Sequence, residues 1–234
     1  MTEPSSPLLR IRKALGRVRR RFNHDVFHVF TKPVPEEASF ESPPGYAFRW
    51  GTPDDIAACS TYHTELDEAE RRAGIGRLAL GHRVVVGIAD DGAGDVVFSM
   101  WANPRNLNVP GLLKRRLAPD QWFIYKAFTS PDHRGKKLYQ AGMRFVLHEM
   151  RAEGMRELVG YAHVKKSVSR KGLARLDFGS AGRVSQLDVP GWRRTFVSSE
   201  LASHFPEELA RSGWTPTDSP PATPPSTESR EPTS

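Results

Sequence analysis

Residues Trp122 to Met150 constrain this chain more than any other stretch. Trp122–Phe128 is an apolar run of β-formers and reads as a buried strand. It runs into Thr129-Ser130-Pro131-Asp132-His133-Arg134-Gly135-Lys136-Lys137, a turn rich in cations with one Pro and one Gly. Leu138, Gly142, Val146 and Met150 then recur at steps of four, the stripe of an amphipathic helix that Gly154 ends. A further strand follows at Glu157–Val164. The first turn of a helix offers unpaired backbone N–H groups and the positive end of its dipole. Such a turn can seat an anion such as pyrophosphate, with Arg134, Lys136 and Lys137 adding full charges. On these residues alone, an ordinary turn with solvated cations explains the pattern equally well.

The rest of the chain reads as short alternating elements. His24–Phe30 is a short strand, and Pro33, Pro35, Pro43 and Pro44 mark a linker at 31–45. Tyr46–Trp50 is a strand, and Thr52-Pro53-Asp54-Asp55 starts a helix that runs to about Arg72. Val84–Ala89 and Val96–Trp101 flank Asp90–Gly94 as a hairpin. Residues 102–119, with three prolines and the run Lys114-Arg115-Arg116, read as irregular. Ser167–Leu176 is a short helix, Arg183–Leu187 and Thr195–Ser198 are weaker strands, and Ala202–Arg211 is a last helix. This order predicts an α+β fold with a mixed, mostly antiparallel central sheet flanked by helices on both faces. It divides the chain into a basic extension with its linker (1–45), a folded domain (46–213) and a Pro/Ser/Thr-rich, disordered tail (214–234).

Charge sharpens the division. The 234 residues carry a net +7, but residues 1–32 hold eight basic against two acidic side chains, a net +6. Leu8, Ile11, Leu15 and Val18 make an apolar stripe among the arginines, the pattern of a basic amphipathic helix. Three readings stand: packing on the core, contact with an anionic membrane surface through 8–21, or contact with nucleic-acid phosphates. Within the body, residues 134–175 hold eleven basic against three acidic side chains, beside the anion-binding turn. That placement favours a phosphate-bearing ligand there and argues against nucleic acid as partner. The histidines show no metal-ligand spacing, so no metal is predicted. No run approaches the roughly 18 apolar residues of a membrane span. The first residues lack a leader's apolar core, and Cys59 is the single cysteine. These predict a cytoplasmic protein, peripheral at a membrane if the basic helix lies there. Glu65, Asp67, Glu68 and Glu70 read as a solvated helix face or an acidic rim for a cationic amine.

The segment 46–198 resembles the GCN5-related N-acetyltransferase (GNAT) superfamily. Pro131, Arg134-Gly135-Lys136-Lys137-Leu138, Lys166-Ser167-Val168-Ser169 and Arg175-Leu176-Asp177-Phe178 stand in the order and spacing of that family's landmarks. Thr52-Pro53-Asp54-Asp55 after a strand looks like its usual start. Four positions depart. Lys137 stands where the family has a second Gly or Ala, and Lys166 where it often has Asn. Asp177 replaces a Gly, and Leu173 occupies the place of a Tyr that protonates the leaving thiolate.

The resemblance implies acyl transfer from acetyl-CoA or another acyl-CoA to the amine of a small-molecule or sugar-linked acceptor by direct attack. Backbone N–H groups near Phe128 and Thr129 would polarise the thioester, Arg134 to Leu138 would hold the phosphates, and Ser169 would touch the donor. Tyr125 and His163 are the candidates for the base, with a core aromatic and a structural strand-end residue as their plain alternatives. Residues 60–82 and 102–119 would shape the acceptor side. The competing expectation is a non-catalytic module of the same fold that uses its basic arm on nucleic acid or an anionic membrane.

Overall fold

The computed structural model describes residues 23–58, 68–92 and 94–209. The expected basic helix 8–21, Cys59, Glu65, Asp67 and the tail 214–234 lie outside these residues.

The strands are β1 (Asn23–Pro33), β2 (Tyr46–Trp50), β3 (Arg83–Ala89), β4 (Val96–Asn103), β5 (Asn106–Val109), β6 (Leu113–Arg116), β7 (Gln121–Thr129), β8 (Glu157–His163), β9 (Gly179–Val189) and β10 (Trp192–Val197). The helices are α1 (Pro53–Ala58), α2 (Glu68–Ala79), α3 (Leu138–Ala152), α4 (Ser167–Ala174) and α5 (Ser199–His204). Eight strands form one sheet in the order β10-β9-β1-β8-β7-β4-β3-β2. The pairing is antiparallel except between β7 and β8, which α3 joins as a βαβ unit. The architecture is the α+β fold expected from the sequence.

Side-chain alternation splits the core. Trp122, Ile124, Leu158 and Ala162 pack under α3 and α4. Phe123 and Val159 point the other way, against the β5–β6 hairpin and α5. Val84, Val86 and Trp101 meet Ile56 of α1 on that second side. Both faces are covered, so these strands are apolar at consecutive positions. On α3, Gly142 is a contact point: a Cβ there would lie 2.5 Å from the ring of buried Phe98.

Four expectations change. β1 is internal, hydrogen-bonded to β8 on one side and β9 on the other, so the domain does not begin at Tyr46. The linker then crosses α3: Val34 N–H donates to Arg156 O, His148 Nδ1 lies 2.7 Å from Ala38 O, and Phe40 packs edge-on against Phe145. Residues 102–119 are not irregular but contain the β5–β6 hairpin, turning at Pro110-Gly111. Its Leu107, Val109 and Leu113 are buried, and that burial is a tertiary gain that four-residue strands do not announce. The last helix starts earlier than expected, capped by the Ser198 hydroxyl accepting from Leu201 N–H, and it ends before Pro206.

Candidate active site

β7 and β8 run side by side for only three residue pairs, Gln121 with Glu157 to Phe123 with Val159. Past that point they part, and a cavity of about 310 Å³ opens between them. Tyr139, Ser169 and Leu173 line it from the α3–α4 side of the sheet, and Phe27, Tyr125 and Tyr161 from the other. The gap therefore joins the two faces of the sheet.

β7 is bulged where it borders the gap. Its register with β4 steps from Tyr125 opposite Trp101 to Phe128 opposite Ser99, so two residues answer one. Lys126 in the bulge has φ +48°, in the left-handed region that side chains avoid. Ser130 N–H donates to Val97 O on β4, so alternation turns the Phe128 N–H to β4 as well. The N–H of Thr129, and of Ala127 two residues earlier, then faces the gap. The Thr129 carbonyl faces the same way and accepts from Arg134 Nε at 3.2 Å. Of the two expected backbone donors, the Thr129 N–H faces the gap and the Phe128 N–H turns to β4.

The basic turn follows. Pro131–His133 forms a single 3₁₀ turn, Gly135 has φ +78° and Lys137 has φ +61° just ahead of α3. Open space surrounds Gly135, and Gly135, Lys136 and Lys137 are exposed. His133 Nδ1 lies 3.0 Å from the Tyr46 hydroxyl, and Lys136 Nζ lies 5.8 Å from the same ring, which ties the turn to β2. Lys137 and Asp177, which stand where the resemblance leads one to expect Gly or Ala and Gly respectively, both take left-handed backbone, Asp177 at φ +55°. The backbone path a glycine would allow is kept without the glycine, at a cost of about 1 kcal/mol each.

The structure brings Tyr125, His163 and Ser169 together around the gap, with Lys166 at the start of α4. The two base candidates differ in what they touch. His163 Nε2 lies 3.2 Å from Asp25 Oδ1, and its Nδ1 accepts from the Lys165 N–H at 3.1 Å. Both ring nitrogens are engaged, and Asp25 comes from β1, which no spacing rule connects to His163. The Tyr125 hydroxyl lies 2.5 Å from Nδ1 of His82, at the end of the stretch 60–82 expected to shape the acceptor side. Burial, then the charges of Arg77 and Arg105, push His82 down to about 4. Its imidazole is held neutral at pH 7, and one hydrogen bond joins its Nδ1 to the Tyr125 hydroxyl.

Glu70 is not a solvated acid. Arg77 Nη1 lies 2.7 Å and Lys126 Nζ 2.5 Å from its Oε1. Burial would raise its pKa, but the hydrogen bonds of Arg77 and Lys126 outweigh it and hold the carboxyl below its usual range. Lys126 is pushed down by burial, partly offset by Glu70. The run Lys114-Arg115-Arg116 does not line the gap either. Arg115 is buried and pairs with Glu208 and Pro206 O, and Arg116 pairs with Glu207, which clips the chain's later residues to the hairpin. Among the described residues, no group of three His, Cys, Asp or Glu side chains is placed to hold a metal ion.

No protein-family model matches the sequence, and no curated protein matches it. Solved structures do match. A functionally unknown conserved protein from Staphylococcus epidermidis aligns at TM-score 0.50 and 9% identity, over 80% of this chain and 68% of that one. A Drosophila protein aligns at TM-score 0.50 and 10% identity, over 78% of this chain and 57% of that one. A GCN5-related N-acetyltransferase from Sphaerobacter thermophilus aligns at TM-score 0.46 and 12% identity, over 83% of this chain and 57% of that one. This chain thus spans less than two thirds of the last two. At such identities the likeness is one of fold. In architecture the chain is a mixed, mostly antiparallel sheet between helices, parted between β7 and β8.

Proposed function

We propose that the chain is an acyl-CoA-dependent N-acyltransferase, with acetyl as the acyl group and a small-molecule or sugar-linked amine as acceptor. The observation that carries this reading is the gap between β7 and β8, which opens to both faces of the sheet at the end of the strand leading into the basic turn. An acyl-CoA bound there would supply an electrophilic thioester carbonyl. The residues fit such a group: Gly135 leaves the turn open, and the Thr129 and Ala127 N–H groups face the gap.

Arg134 to Leu138 would hold the pyrophosphate through first-turn N–H groups and exposed cations. Ser169 and Lys166, at the start of α4, would flank the chain of the donor. Thr129 N–H stabilises charge that develops on the carbonyl oxygen. Tyr125, hydrogen-bonded to the neutral His82, would position the incoming amine with its hydroxyl at the gap. His163, engaged on both nitrogens, orients the loop after β8 instead of taking a proton.

Thermal melting with acetyl-CoA and longer acyl-CoAs tests the reading, followed by thiol release over a panel of amines. Ligand at about a hundred times its Kd adds about 2.7 kcal/mol, or about 5–10 °C in Tm for a domain of this size. No shift with any acyl-CoA well above micromolar concentration would overturn it.

A further inference from the structure

Beyond α4 the sheet continues as β1, β9 and β10, and one face of these strands is uncovered by any described helix. Val29 and Val184 point to the hairpin side, together with α5. Alternation therefore puts His24, Val26 and His28 on the opposite face. The register sets them beside Leu187, Ser185 and Arg183, and sets Leu187 and Ser185 beside Arg194 and Phe196. On the edge strand β10, Phe196 is 48% and Trp192 45% exposed. The Arg194 guanidinium lies 5.9 Å from the Phe196 ring centre. A cavity of about 340 Å³ opens among His24, Val26, Arg183, Ser185 and Phe196.

The charge on this face has one sign. The charged side chains at the same-face positions of the three strands are Arg183 and Arg194, beside the imidazoles of His24 and His28 and with no carboxylate. Arg170 of α4 extends the charge at one edge, where burial, then Arg170 and Arg183, hold His28 below the usual imidazole range. The acids of β1 and β9 turn to the other face, Asp25 to His163 and Asp188 to Arg193. Glu200, exposed at the start of α5, is close enough to feel Arg183. A second copy of this face, or the chain's own basic residues 8–21, would meet like charge here. An anionic partner would not.

We propose that this face binds single-stranded nucleic acid, with a base stacked on Phe196 over the cavity and phosphates on Arg183 and Arg194. The cavity favours this over a bilayer, because it admits a ligand beside the Phe196 ring. Trp192 lies on the same side four residues away, about 13 Å along the strand. It offers a second stacking surface for another base. This site is independent of the gap and of the acyl-transfer reading.

The test is fluorescence polarisation of the full chain with a labelled, mixed-sequence single-stranded RNA of about twelve nucleotides at about 50 mM salt. We expect saturable binding whose log Kd rises with log salt at a slope of about 1.4, as for two phosphate contacts on a single strand. Phe196→Ala and Arg194→Glu each weaken it about tenfold or more. Both side chains are exposed, so Tm and any acyl-CoA-induced shift stay unchanged. The proposal is overturned if no binding occurs at low salt, or if the two variants bind like the parent. It is also overturned if Arg20→Glu alone abolishes binding, which would place the site in residues 8–21. A membrane site is the outcome if phosphatidylserine vesicles capture the parent but not the two variants while RNA does not bind.

Discussion

The Tyr125 hydroxyl lies 2.5 Å from Nδ1 of His82, 43 residues earlier in the chain. Burial and two guanidiniums keep His82 neutral, so the bond joins two uncharged groups and ties the phenol at the edge of the gap to the start of β3.

Tyr125→Phe is expected to lower kcat/KM for the amine by about 10–100-fold while acyl-CoA affinity holds. It leaves the part-buried His82 Nδ1 without its hydrogen-bond partner, a stability cost of about 1–3 kcal/mol. Steady-state kinetics with separate titrations of the two substrates check this. An unchanged amine kcat/KM removes Tyr125 from the site.

His82 makes stability fall on acidification. Its folded pKa of about 4 lies below the ordinary imidazole value of 6.5, so the unfolded chain binds the proton more readily. The contribution is complete above about pH 6.5 and is lost as pH falls toward 4. The full shift corresponds to about 3 kcal/mol, less because the ring is partly exposed. Urea melts of the parent and His82→Gln from pH 7.5 to 4.5 should converge at low pH. Parallel curves would show that His82 is not the group.

The basic turn separates strain from charge. Lys137→Gly relieves a left-handed side-chain conformation at φ +61° and should stabilise the fold by about 0.5–1 kcal/mol. Gly135→Glu puts a side chain at φ +78°, where the space is open but the backbone is disfavoured. It should cost about 1 kcal/mol, keep the fold and abolish acyl-CoA binding through its charge. Urea denaturation and calorimetric titration read the two effects independently. Retained acyl-CoA affinity in Gly135→Glu would move the phosphates elsewhere.

Gly142→Ala sets two effects against each other. Helix propensity favours Ala by about 1 kcal/mol. Its Cβ would meet the Phe98 ring at 2.5 Å, in a core where Phe98 is fully buried and has no room to yield. Overpacking of about 1–3 kcal/mol should win, giving net destabilisation. Adding Phe98→Leu should recover part of it. A stabilised single variant would mean that α3 can lift off β4.

Much of the frame was readable from local chemistry. The Trp122–Phe128 strand, the stripe of Leu138, Val146 and Met150, and the Thr52-Pro53 start are properties of neighbouring residues, and each element stands where those residues indicate. The basic turn was legible too, because proline, glycine and cations act over a few positions. Tertiary structure decided the rest, since it depends on residues far apart in the chain. The β5–β6 hairpin forms because Leu107 and Leu113 are buried against Phe123 and Val159. β1 takes an inner place because β8 and β9 each offer a free edge. Glu70 became an ion-paired buried group and His82 the partner of Tyr125 only when the sheet brought β7 beneath α2 and the start of β3. Periodicity and turn chemistry act over one helical turn or one hairpin. Burial, ion pairing and the hydrogen bonding of a phenol are set by groups that only folding makes neighbours.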